Sequence, residues 1–287
     1  MKTESLEAFL RTAELKSLTR ASELLHISQP ALSKQIRSLE DELATQLLIR
    51  STSGVSLTTS GQILYERSKR IMEEVGALKR EIAFNDGTKV QLNIGSWPSI
   101  ATAYLPSRIA RNKQQDNLSE YKIRVSYSYY DLLKNLENGS IDAALFDDRG
   151  ITHSFCSSPV FTEVFLLYVN RSHPSFGARD EVTFKEIKDE AFVMLPEGCD
   201  IRMLVENEFV ERGAKLQISF EIELGQSILG FIQSNLGIAI LPEIFVSQAG
   251  SEVKAIPISD FNSVRQISLL TREDAVNRVL LALFQTN

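Results

Sequence analysis

Between Ser17 and Arg37 the chain reads Ser-Leu-Thr-Arg-Ala-Ser-Glu-Leu-Leu-His-Ile-Ser-Gln-Pro-Ala-Leu-Ser-Lys-Gln-Ile-Arg, the pattern of two short helices joined by a tight turn. Thr19 offers an oxygen to cap the first helix, along which Ala21, Leu24 and Leu25 follow at helical spacing. His26-Ile27 breaks that spacing. Ser28 then caps a second helix, where Pro30 is tolerated because first-turn amides need no intrahelical acceptor. Leu32, Ile36, Leu39 and Leu43 define one apolar face of this helix, while Pro30, Ser33, Lys34 and Arg37 share another, beside Gln29. A helix that buries one side and offers Gln, Ser, Lys and Arg on another can enter a DNA major groove. Two amphipathic helices alone equally describe an ordinary αα-hairpin, so the decision lies with the flanking sequence.

Upstream, Leu6, Phe9, Leu10 and Ala13 mark a first helix, with Glu4 and Glu7 near its positive end. The three helices would share a core of Phe9, Leu10, Ala13, Ala21, Leu25, Leu32, Ile36 and Leu39. Downstream, Leu47–Arg50 and Val55–Leu57 read as short strands around the turn-forming Thr52-Ser53-Gly54. Helix-turn-helix followed by a small hairpin is a winged helix, with Arg50 and the hairpin tip placed to touch phosphates. Thr58-Thr59 then caps a long helix to about Asn85. Its positions Leu64, Ser68, Ile71, Val75, Leu78 and Ile82 step alternately by four and three, the seam of a pairing helix. Asn85-Asp86-Gly87 ends it as a hinge.

Charge neither supports nor opposes contact with nucleic acid. The net charge is −6, but residues 1–88 hold 12 Lys/Arg and 12 Asp/Glu, so the whole excess lies in residues 89–287. At 287 residues the chain can form two domains, one with a sizeable core. No apolar run reaches the roughly 18 residues of a membrane span. The amphipathic N-terminus is no signal peptide. These features point to a cytoplasmic protein that calls for no membrane partner. Cys156 and Cys199 are far apart, lack metal-ligand spacing and read as free thiols. The chain has no G-x-G-x-x-G, no phosphate-binding lysine loop and no H-E-x-x-H. Gly225-Gln226-Ser227 begins like a nucleophile elbow, but Leu229 stands where Gly is needed. An enzyme, a cofactor and a metal are therefore not expected.

From Val90 onward strands and helices alternate. Strands fall at Val90–Ile94, Tyr121–Tyr127, Ile141–Phe146, Val164–Val169, Ala191–Leu195, Gln217–Ile222, Ile238–Leu241 and Val264–Leu270. Helices begin near Ser99, run through Leu132, Leu133 and Leu136, and span Ile201–Glu211, Ser227–Gln233 and Val276–Phe284. Repeated β-α-β units imply a parallel or mixed sheet with helices on both faces, binding ligands at the carboxyl ends of its strands.

With these segments in place the sequence resembles the LysR-type transcriptional regulators of bacteria along its whole length. The pattern is carried by Leu6, Phe9, Ser17, Ala21, Leu25, Ser28-Gln29-Pro30-Ala31-Leu32-Ser33, Ile36, Leu39-Glu40, Leu43, Arg50, Leu57-Thr58 and Gly61. Later matches are Leu92-x-Ile94-Gly95, Leu105-Pro106, Leu136-x-x-Gly139-x-x-Asp142-x-Ala144 and Gly237-Ile238-Ala239-x-Leu241-Pro242. The chain departs from the family at Ala44, where Gly is usual, at Ser22 for Ala and at Leu48 for Phe.

The resemblance implies an α/β multidomain protein: a winged helix-turn-helix (1–58, the motif itself about 18–37), a linker and dimerisation helix with hinge (59–88), and an effector domain (89–287). That last domain would be two-lobed and similar to periplasmic solute-binding proteins, lobe one being 89–161 and 267–287 and lobe two 162–266. It further implies DNA contacts from Thr19, Ser28, Gln29, Pro30, Ala31, Ser33 and Lys34, with Arg37 and Arg50 on the backbone. For the effector it implies Ser96, Trp97, Ser99, Ser128, Tyr129, Pro196, Glu197, Gln226 and Ser227. Ser99 at a helix start favours an anion such as a small carboxylate, though each of these serines is equally a plain cap or loop residue. Trp97 either narrows the cleft, stacks on a ligand or fills the lobe's core.

Partners implied are double-stranded promoter DNA, a small-molecule effector, a second copy through the linker helix (with tetramers common in the family) and RNA polymerase. Cys199 is similar in place to the reactive cysteine of peroxide-sensing members, which opens an alternative: a redox-responsive regulator with Cys156 as the partner thiol. Its spacing to the following Arg is one residue longer than expected, and an unreactive thiol is the other reading.

Overall fold

A computed structural model describes residues 1–51, 54–86, 91–112 and 120–285. The wing-tip residues Thr52 and Ser53, Gly87 of the expected hinge and Val90 of the expected strand lie outside the described residues.

The first compact unit holds α1 (Thr3–Leu15), α2 (Leu18–Leu24), α3 (Gln29–Glu42), the hairpin β1 (Leu48–Ser51) and β2 (Gly54–Leu57), and α4 (Thr59–Asn85) up to Ile82. Leu6, Phe9, Ala21, Leu32, Ile36 and Leu39 are buried together, and the hairpin closes the core with Leu47, Leu48 and Val55. Leu43, expected on the apolar face, is instead the exposed C-cap of α3, because the helix ends there. Ser17, not Thr19, caps α2: its hydroxyl accepts the amide of Arg20 at 3.3 Å, and Thr19 lies one turn position inside the helix.

Ser28 caps α3 as expected, accepting the amide of Ala31. The break at His26-Ile27 is a left-handed helix stop: His26 has φ +53°, and the amides of His26 and Ile27 return to the carbonyls of Glu23 and Ser22. Ala44 ends α3 in the same way, with φ +50° and amides of Ala44 and Thr45 bonded to Asp41 and Glu40. Gly61 lies so close to the Leu47 carbonyl that a Cβ would stand 2.1 Å from its oxygen. Along α4, Ser68 is buried, whereas Ile71, Leu78 and Ile82 of the heptad seam are exposed.

The second unit begins with β3 (Gln91–Ser96), a π-type turn (Ile100–Tyr104), α5 (Leu105–Asn112), β4 (Glu120–Val125), α6 (Tyr129–Glu137) and β5 (Ala143–Phe146). It continues through β6 (Cys156–Asn170), α7 (Phe184–Ile187), β7 (Ala191–Met194), α8 (Asp200–Glu211), β8 (Gln217–Glu221) and α9 (Gly225–Gln233). The chain ends with β9 (Ala239–Pro242), a 3₁₀ turn (Glu243–Gln248), β10 (Val253–Pro257), β11 (Val264–Thr271) and α10 (Asp274–Gln285). The sheet is mixed, ordered β10-β6-β11-β5-β3-β4 with β9 also on β6, and β7-β8 form a separate parallel pair.

Two apolar cores lie within this unit. One gathers Leu92, Ile94, Trp97, Leu145, Phe146 and Leu269, the other Leu167, Phe192, Val205, Phe209, Ile228 and Ile240. The strand expected at Val164–Val169 is the end of a 15-residue strand. β6 pairs β11 through Cys156–Val164, then β9 and β10 through Phe165–Asn170, so one strand runs from the first core into the second. Strand β10 and helix α7 were not expected; both are short and lack a strong period.

Candidate functional site

On the winged unit, the buried face of α3 fixes what the other face offers. Leu32 and Ile36 are fully buried, which leaves Gln29, Pro30, Ala31, Lys34 and Arg37 exposed on the same helix and Ser33 at its border. Thr19, Ser28 and Arg50 are exposed as well. Gln29 and Pro30 open the first turn of α3, where the positive end of the helix dipole meets phosphates well. The hairpin is fastened to the turn between α1 and α2: the Val55 amide donates to the Lys16 carbonyl at 3.1 Å, and a Cβ on Gly54 would stand 2.8 Å from that oxygen. Lys16, Arg20 and Arg50 thereby line one open groove with Ser17 and Ser51. Lys16 and Arg20 were missed by the sequence reading; their signal was a basic residue at each end of the turn into α2.

In the second unit a cavity of about 250 Å³ has walls from both cores. Six of the nine expected effector residues line it: Trp97, Ser99, Ser128, Tyr129, Pro196 and Glu197. The other three do not. Ser96 is wholly buried at the end of β3, and its hydroxyl has no hydrogen-bond partner among the described residues. Gln226 and Ser227 are exposed on α9, because Gly225 is the residue of that turn that faces the cavity, against Phe245 and Leu195. Gln226 instead donates to the Gln248 amide oxygen at 3.1 Å.

Trp97 packs in the core, its ring meeting Phe146 edge-on, and it also lines the cavity. Ser99 does not cap the helix that follows. It is already helical, and its hydroxyl accepts from Arg265 Nη1 at 3.1 Å.

Arg265 is the chief residue the sequence reading missed. It is fully buried on β11, directly across from Glu163 on β6. Its Nη1 donates to Glu163 Oε1 at 3.0 Å and its Nε to Asp200 Oδ2 at 2.6 Å. Burial alone would favour loss of the proton, but the charges of Asp200 and Glu163 outweigh it and hold the guanidinium charged. Burial pushes the Glu163 carboxyl up, against the opposing pull of Arg265 and the Ile244 amide. The available signal was a lone arginine inside an apolar strand pattern, which needs a buried acid to accompany it.

Cys199 is the N-cap residue of α8 and lines the cavity; its thiol approaches Asp200 Oδ1 at 3.5 Å. Burial, then the Asp200 charge, pushes that thiol up to about 12. Cys156 lies elsewhere, paired with Thr271 in the sheet, and both cysteines are free. Among the described residues no group of His, Cys, Asp and Glu is arranged to hold a metal, and no helix is long and apolar enough to cross a membrane.

Residues 3–62 match the family model for bacterial regulatory helix-turn-helix proteins of the lysR family, and residues 85–286 match the LysR substrate binding domain. The chain is 30% identical over 276 residues to the hydrogen peroxide-inducible genes activator of Haemophilus influenzae, spanning 95% of this chain and 91% of that one. It is 30% identical over 245 residues to the HTH-type transcriptional regulator YybE of Bacillus subtilis, spanning 85% and 83%. Among solved structures, full-length CbnR complexed with target DNA gives a TM-score of 0.72 at 20% identity over 99% of this chain and 97% of that one. A cysteine mutant of Corynebacterium glutamicum OxyR gives 0.67 at 22%, over 99% and 91%. At these identities the structural likeness speaks for the fold alone.

Proposed function

The chain belongs to the lysR family of bacterial regulatory helix-turn-helix proteins and is a DNA-binding transcription regulator with an effector-binding domain, not an enzyme; we propose that the exposed face of α3 reads the promoter and that the cavity at Trp97 and Arg265 holds the effector. The single observation behind the first part is the division of α3. Leu32, Ile36 and Leu39 are buried, so Gln29, Lys34 and Arg37 are held outward by a helix that cannot rotate without exposing its core. Gln29 suits adenine, Ala31 suits a thymine methyl group, and Lys34 and Arg37 suit phosphate. Arg50, with Lys16 and Arg20, adds backbone contacts from the wing side.

The working division is 1–58 for DNA, 59–88 for pairing and 89–287 for the effector, acting in the cytoplasm on promoter DNA as at least a dimer. The effector shifts DNA affinity only by binding two states of the chain unequally. The reading is tested by anisotropy titration of the chain on its own upstream DNA. Gln29→Ala should lower affinity for that DNA more than for unrelated DNA. Equal losses on both would sink base reading by Gln29.

A second reading, redox control through Cys199, is favoured by relatives named for hydrogen peroxide induction and by the thiol's place in the cavity wall. Against it stands the proton held on that thiol by burial and Asp200.

A further inference from the structure

Two residues that line the cavity, Trp97 and Arg265, carry buried donors without acceptors. Nη2 of Arg265 and Nε1 of Trp97 have no hydrogen-bond partner among the described residues, and neither is reached by solvent. An orphaned buried donor is costly and marks a place where an acceptor belongs. Two such donors on residues of one small cavity are the groups that an acceptor head group entering it would satisfy.

The charge around them decides what that group is attached to. Arg265 is already flanked by Glu163 and Asp200. The wall itself carries three carboxylates, Glu197, Asp200 and Glu223, and Arg265 is its one cation among the described residues. Glu197 is paired at 3.5 Å with Arg202, and Arg202 is itself shared with Glu206 and Glu221. A simple carboxylic acid would therefore enter a field of its own sign, and the small carboxylate expected from Ser99 alone is disfavoured. A ligand that carries an ammonium beside its carboxylate escapes that penalty. Glu223 is exposed, and exposed Tyr127 and Tyr129 offer ring faces on which a cation rests well. The remaining wall is apolar, with Leu195, Ile201 and Phe245. At about 250 Å³ the cavity lies below the roughly 300–1,000 Å³ of drug-sized sites.

We propose that this cavity takes a small amino acid-class ligand: its carboxylate on Arg265 Nη2 and Trp97 Nε1, its apolar arm against Leu195 and Phe245, and its ammonium toward Glu223. This assignment rests on the effector reading of the cavity given above.

The test is isothermal calorimetry on the full chain with a panel of L-amino acids of up to about a dozen heavy atoms. Each is matched by its deaminated acid and its decarboxylated amine. At least one amino acid should bind saturably, and about tenfold or more tighter than either matched fragment. Trp97→Phe, which keeps an aromatic ring at the position and deletes the donor, should weaken it about tenfold. Glu223→Gln should weaken the amino acid about threefold while leaving the matched acid no weaker.

An acid or amine that binds as tightly as its amino acid overturns the ligand class; if Trp97→Phe weakens that fragment, the cavity remains an effector site. No binding by any of the three series, with promoter binding intact, overturns the class and the effector reading together. An amino acid that binds indifferently to both substitutions overturns the site.

Discussion

The carboxylate of Glu40 accepts the backbone N–H of Leu47 at 2.8 Å, and the same oxygen takes the Leu48 amide at 3.2 Å. One side chain near the end of α3 thus holds the start of the wing, and the distance from the reading helix to Arg50 is set through it. Glu40→Ala should cost the winged unit roughly 1.5–3 kcal/mol, the range for hydrogen bonds to a charged group. It should also lower DNA affinity although Glu40 offers no donor to DNA. Thermal unfolding and anisotropy on the same sample check both. Loss of stability with full affinity retained would show that wing placement is irrelevant to binding.

Ala44 sits at φ +50°, the left-handed region that favours glycine. A Cβ in the left-handed region costs about 1 kcal/mol, while glycine returns part of that gain through the freedom of the unfolded chain. Ala44→Gly should raise the stability of the winged unit by up to about 1 kcal/mol and leave DNA affinity unchanged. Urea unfolding followed by circular dichroism measures it; destabilisation would mean that the hydrogen bonds of Ala44 and Thr45 already absorb the strain.

Along α4, Ile71, Leu78 and Ile82 are exposed apolar residues on the heptad seam. Burying each on a second copy is worth roughly 1.5–3 kcal/mol. Leu78→Lys should shift the chain toward monomer in sedimentation and weaken binding to a two-half-site operator more than to a single half-site. An unchanged sedimentation coefficient would remove α4 from the pairing surface.

Cys199 keeps its proton to about 12, because burial and the neighbouring Asp200 both disfavour the thiolate. At pH 8 its alkylation by iodoacetamide should be slower than that of a free cysteine by more than tenfold, rising steadily with pH up to that value. Denaturation should bring Cys199 to the rate of an ordinary thiol. Peroxide should leave DNA affinity of the wild type and of Cys199→Ser alike. Rapid labelling at pH 8, or a peroxide response lost in Cys199→Ser, would establish the redox reading.

The winged unit was legible in the sequence because its signals are local. Ser28 caps, His26 stops a helix, and Leu32, Ile36 and Leu39 mark one face. Where the reading slipped, one residue of register decided it, as with Ser17 in place of Thr19 and Leu43 beyond the helix end. The cavity was legible only in outline, because strand ends locate a site without saying which way each side chain turns. Gly225 faces inward where Gln226 and Ser227 were expected. The Arg265 cluster joins residues 102 and 65 positions apart, at Glu163 and Asp200, and no local period carries such information. The long strand β6 was half hidden for a similar reason: its first half is broken by Ser157, Ser158, Pro159, Thr162 and Glu163, so only the continuous apolar run at its end stood out.

The central claim is that α3 presents Lys34 and Arg37 to the DNA backbone from an N-terminal region, residues 1–88, with no net charge. The direct measurement is the salt dependence of promoter affinity for the wild type, Lys34→Ala and Arg37→Ala. If each side chain neutralises one phosphate, each substitution should weaken binding and reduce the slope of log affinity against log salt by about 1. Unchanged affinity and an unchanged slope in both variants would contradict the assignment of this face to DNA.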